Sequence, residues 1–117
     1  MKRHKILVVD DEERIRKICR IALEYAGYRV GVSQNAQRAL EFLEKEDDYE
    51  LVLTDLNLPG LNGLELISEI EKRHPHCKTL LMTGSLSVNY TYTKDCLHKP
   101  FGFVELVSKI KKVLSSP

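Results

Sequence analysis

The sequence lacks an excess of charge of either sign: in 117 residues, 18 Lys and Arg stand against 17 Asp and Glu, for a net charge of +1. Direct nucleic-acid binding is therefore not expected, because such a surface masses basic residues on one face. The densest basic run, Lys109, Lys111 and Lys112, reads as a helix end, where cations complement the dipole. Cysteine is scarce. Cys19, Cys77 and Cys96 are odd in number and unevenly spaced, which excludes a disulfide framework or a paired-cysteine zinc site and fits a reducing compartment. Long apolar runs are missing too: the run from Ile6 to Val9 is cut off by Asp10 and Asp11, too short for a signal core or a membrane span. A cytoplasmic location with no membrane partner is the expectation. No Gly-rich loop follows that first run, which argues against a small flavin- or nucleotide-binding protein. The length fits one domain over residues 1–117, since domains hold roughly 100 to 150 residues.

What is present is alternation. Ile6 to Val9, Leu51 to Leu53 and Leu80 to Met82 are short unbroken apolar runs, as strands covered on both faces would be. Tyr28 to Ser33 alternates apolar and polar residues like a less covered edge strand. Between these runs the period becomes helical: Ile15, Ile18, Cys19, Ala22, Tyr25 and Ala26, stopped by Gly27; then Ala36, Ala39, Leu40 and Leu43; then Leu64, Ile67 and Ile70; and last Phe103, Leu106, Val107, Ile110, Val113 and Leu114. Strand-helix repetition predicts an α/β fold with a doubly wound parallel sheet, whose right-handed crossovers bring the C-terminal ends of all strands to one edge. Ligands bind at that edge. The residues that stand there are Asp10 and Asp11, Asp55, Thr83 and Gly84, and Lys99 and Pro100.

Three carboxylates at one edge repel one another, and a divalent cation removes the conflict. An all-oxygen donor set of few carboxylates, completed by water and a phosphate oxygen, suits Mg²⁺. Lys99 adds a mobile cation and Thr83 a hydroxyl donor, so an anion site adjoins the metal site. Asp55 ends the third strand and is the carboxylate best placed to attack phosphorus and form an acyl phosphate. No second carboxylate follows two positions on, where Asn57 stands, so rapid hydrolysis is not driven and the phosphoryl group persists as a signal.

Val8-Val9-Asp10-Asp11-Glu12, Thr54-Asp55-Leu56-Asn57-Leu58-Pro59-Gly60 with Asn62-Gly63, Met82-Thr83-Gly84 and His98-Lys99-Pro100-Phe101 occur in order, each at the end of an apolar run. Together they resemble the receiver domain of two-component response regulators, over nearly the whole chain. The resemblance implies a flavodoxin-like (βα)5 fold with strand order 2-1-3-4-5. It implies Asp55 as phosphoacceptor, Mg²⁺ held by Asp10, Asp11, Asp55 and the backbone carbonyl of Asn57, Thr83 as switch hydroxyl and Lys99 as phosphate partner. A cis bond before Pro100 is part of the same pattern. The implied partners are a sensor histidine kinase or phosphotransfer protein and a downstream protein target, or an output domain absent from this chain, with residues 115–117 as a linker. Such a domain is not an enzyme on an external substrate. It catalyses only its own phosphorylation and dephosphorylation.

Two departures from that family stand out. Only the 11 residues from Gly84 to Lys94 are available for a fourth helix, against a crossover minimum of about 10 to 12, and they are mostly β-branched, aromatic or small polar. The fourth helix is predicted to be shortened or missing. Three residues before Lys99, where the family carries Tyr or Phe, stands Cys96; Tyr90 or Tyr92 are the candidate substitutes. These departures keep open an alternative, a phosphorylation-independent pseudo-receiver that works as a protein-interaction module. Blander readings apply elsewhere: His74-Pro75-His76-Cys77 as a loop, Cys19 as core, and Gly60 and Asn62-Gly63 as turn chemistry.

Overall fold

The computed structural model describes residues 3–84 and 96–116. Its elements are β1 Lys5–Val9, α1 Glu13–Tyr25, β2 Arg29–Ser33, α2 Ala36–Lys45, β3 Tyr49–Asp55, α3 Gly63–Arg73, β4 Lys78–Thr83, β5 Cys96–His98 and α4 Phe103–Leu114. The strands form one parallel sheet in the order β2-β1-β3-β4-β5, the flavodoxin-like, doubly wound arrangement. The segment predicted to hold a shortened fourth helix, together with Tyr90 and Tyr92, lies outside the described residues from position 85 onward.

The two-residue period of β1 explains why its run is apolar throughout. Ile6 and Val8 face a core built with Cys19, Ala22 and Leu23 of α1 and Leu106 and Ile110 of α4. Leu7 and Val9 face the other side, against Ala36, Ala39, Leu40 and Leu43 of α2 and Leu66 and Ile70 of α3. All four β1 side chains are fully buried, each contributing about 1.5–3 kcal/mol, so a polar residue at any of them would open one layer.

Local chemistry sets the helix ends. Asn35 caps α2 by accepting from Arg38 N at 2.8 Å, and Asn62 caps α3 in a reciprocal pair with Glu65, both bonds 2.9 Å. Gly27, at φ 101°, turns the chain out of α1. The apolar stripe of α1 is wider than the part it buries. Cys19, Ala22 and Leu23 are buried, whereas Ile18 and Tyr25, expected on the inward face, are 54% and 84% exposed.

Candidate functional site

The sheet order reverses between β1 and β3, and the crevice beyond their C-terminal ends receives Asp10 and Asp55. Asp10 directly follows β1 and is completely buried; Asp55 is the last residue of β3 and 7% exposed. Asp11 is exposed at the rim, and one oxygen from each of the three carboxylates lies within 4.8 Å of the others. Lys99, immediately after β5, reaches across: its Nζ is 2.9 Å from Asp55 Oδ1 and 3.2 Å from Asp10 Oδ2. Thr83, the last residue of β4, is buried, and its carbonyl accepts from the Lys99 amide at 2.9 Å, which ties the lysine's backbone to the neighbouring strand. The Lys99–Pro100 bond is cis, as the sequence pattern implied. Asn57 lies two residues beyond β3, exposed, in the loop that leaves Asp55.

Electrostatics at this edge are unbalanced. Burial pushes the Asp55 carboxyl above its ordinary value, the hydrogen bond and charge of Lys99 pull the other way, and the neighbouring charges of Asp10 and Asp11 add to the rise. The net effect is upward. Burial disfavours the charged Lys99, but its hydrogen bond to Asp55 and the charges of Asp10 and Asp55 more than offset this and raise its pKa. One ammonium thus faces three carboxylates, and the cluster retains net negative charge. An all-oxygen donor set in that state fits a hard divalent cation of the Mg²⁺ type.

Two further residues hold the site in shape: Arg16, which the sequence did not single out, and Gly63, which it gave only as turn chemistry. Arg16 Nη1 donates to the carbonyl of Asp10 at 2.7 Å, while Asp10 Oδ1 accepts from Glu12 N at 2.8 Å, so backbone and side chain of Asp10 are both anchored. Gly63, the first residue of α3, donates to the carbonyl of Leu56 at 2.8 Å. A Cβ there would overlap the carbonyl oxygen of Asp55, so this position requires glycine for close approach. A glycine opening an amphipathic helix was the available signal. Arg16 offered none, being one of several cations along α1.

The sequence matches the response regulator receiver domain family over residues 6–111. It is 35% identical to YkoG of Bacillus subtilis, an uncharacterized transcriptional regulatory protein, across 97% of this chain but 52% of that protein. The chain thus spans about half the length of that relative, and 48% of the next, the transcriptional regulatory protein ResD of the same organism, at 34% identity. The response regulator receiver protein CpdR of Brucella abortus is 35% identical over 94% of this chain and 96% of its own length. Among solved structures, TrrA of Thermotoga maritima, a response regulator in complex with Mg²⁺ and BeF, superposes with a TM-score of 0.86 at 33% identity, covering 94% of this chain and 98% of that one. Sequence family, strand order and the acidic edge agree: the chain belongs to the response regulator receiver domain family of two-component signalling.

Proposed function

We propose that Asp55 accepts a phosphoryl group from the phosphohistidine of a sensor kinase or phosphotransfer protein, and that this biases a protein-interaction surface. The observation that carries the reading is the contact of Lys99 Nζ with Asp55 Oδ1, 2.9 Å, inside a cluster of three carboxylates. In the transfer a carboxylate oxygen of Asp55 forms the new P–O bond as the P–N bond breaks, and the imidazole nitrogen leaves with the electron pair. Asp55, at the end of β3 and turned into the crevice, presents a carboxylate as the nucleophile. Lys99 follows the phosphoryl oxygens as a mobile point charge, and the Thr83 hydroxyl turns toward them. Asp10, Asp11, Asp55 and the Asn57 carbonyl would hold Mg²⁺, which when bound offsets charge on the equatorial oxygens.

The donor has to cover this edge, and the surface beside it suits a protein. The exposed large apolar side chains among the described residues are Ile18, Ile21 and Tyr25 of α1 and Phe103 and Val104 of α4. A cavity of about 190 Å³ opens between Ile18, Ile21 and Phe103, and Phe101 and Gly102 of its wall follow the Lys99–Pro100 pair. Tyr25 and Phe103 meet edge to face with centroids 5.7 Å apart. A helical donor with an apolar stripe fits there.

The test is incubation with acetyl phosphate or beryllofluoride and Mg²⁺, followed by mass spectrometry and NMR of the wild type and of Asp55→Asn. An adduct and shifts around Asp55 in the wild type alone support the reading. Their absence from the wild type sinks it and leaves the pseudo-receiver.

A further inference from the structure

Among the described residues β2 is an edge strand that pairs with β1 alone. The amide of Arg29 donates to His4 and the carbonyl of Ser33 accepts from Asp10, so these residues point their peptide groups toward β1. Successive residues of a strand alternate sides, which turns the N–H and C=O of Val30 and Val32 outward. Val32 is also the point where two cavities meet. One, about 240 Å³, lies toward α2 and is lined by Arg16, Arg38 and Phe42; the other, about 220 Å³, lies along α1 and is lined by Arg16, Lys17 and Arg20.

Cations dominate both. Lys17 and Arg20 pair with Glu13 and Glu24 of their own helix. Arg16 spends one nitrogen on the Asp10 carbonyl, and among the described residues neither Arg16 nor Arg38 has a carboxylate partner. Two uncompensated guanidiniums therefore flank an open strand edge, one toward each face of the sheet. Such cations can serve only to blunt the edge, but the cavities around Val32 leave room for a chain beside it.

We propose that the β2 edge is a docking site for an acidic, extended peptide segment of a partner protein. The segment adds as a sixth strand, its main chain pairing with Val30 and Val32. Its alternating side chains reach opposite faces, so carboxylates meet Arg38 on one side and Arg16 and Arg20 on the other, in charge-assisted hydrogen bonds. The site shares only Arg16 with the Asp55 edge and needs no phosphoryl group.

The probe is a capped hexapeptide of glutamate pairs separated by valine, which places carboxylates on both faces of the strand, titrated into ¹⁵N-labelled protein without phosphodonor, so that the outcome is independent of the role of Asp55. Shifts concentrated at residues 29–33, with slowed exchange of the Val30 and Val32 amides, are expected. Arg38→Glu and Arg20→Glu, both at exposed positions, should each weaken binding roughly tenfold, equivalent to about 1.4 kcal/mol. Equal binding of the lysine-valine counterpart, no change on charge reversal, or no shift at β2 would overturn the proposal. So would shifts reproduced by inorganic phosphate without amide protection, which would mark an anion site and not a strand partner.

Discussion

At the N-terminal end of the sheet, Lys5 pairs with Glu46 at 2.8 Å and Asp48 at 3.4 Å, Arg29 pairs with Asp48 at 3.4 Å, and the Lys5 ammonium lies 4.4 Å from the Tyr49 ring centroid. At the other end of the same strands, Lys99 is the one cation among the described residues that pairs with Asp10 and Asp55, with Asp11 beside them. The difference shows in two aspartates. Burial is the largest single influence on Asp48 and pushes it up, but the hydrogen bond from Lys5 and the charges of Lys5 and Arg29 together hold it below the ordinary value. Burial and like charge hold Asp55 above it. A cluster whose charges are matched within the chain is already satisfied, whereas one left negative has capacity for something from outside. The functional end is recognised by what it leaves uncompensated.

The strongest way to break that comparison is chemical. Asp55→Asn should abolish the acetyl phosphate adduct, while Asp48→Asn should leave it at the wild-type level, read by intact mass. Next is the cation: Mg²⁺ at a hundred times its Kd should stabilise the wild type by about 2.7 kcal/mol, seen as a rise in Tm, and Asp10→Asn should remove most of it. An equal rise in both proteins would place the ion elsewhere.

Without metal, the two ends should respond to neutralisation with opposite signs. Asp55→Asn should stabilise the protein at neutral pH by on the order of 1 kcal/mol, because it removes a buried charge held against its preference. Asp48→Asn should destabilise it by about 0.2–1 kcal/mol, since Asp48 is partly exposed and its pairs are screened. Urea unfolding measures both. The smallest effect is the order of titration. A raised folded pKa means that stability from protonated Asp55 is lost as pH rises from 3.8 through the raised value; a lowered one means that stability from ionised Asp48 is lost as pH falls below 3.8 through the depressed value. Carboxyl ¹³C shifts should show Asp55 taking its proton first on acidification.

The candidate site was legible because parallel strands end abruptly: an apolar run followed by Asp10, Asp55, Thr83 or Lys99 states both where the strand stops and what it presents. Periodicity gave the α/β alternation, but strand order came only through the family resemblance, because nothing local distinguishes a central strand from its neighbour. Ile18 and Tyr25 misled for a related reason: a 3.6-residue period reveals an apolar stripe and is silent on whether the core or a partner covers it. The N-terminal network was invisible, since Lys5, Arg29, Glu46 and Asp48 are scattered until the sheet assembles them. Arg16 was hidden likewise, its role resting on a carbonyl and not on any motif.

The close approach at Gly63 bears on how mutations at this edge should be interpreted. A saturation screen for signalling output would score position 63 as severely as the acidic positions, although glycine carries no charge and donates nothing to a phosphate. Its intolerance would come from the space beside the Asp55 carbonyl, and pairing the screen with a foldedness readout would separate that steric class from the chemical one.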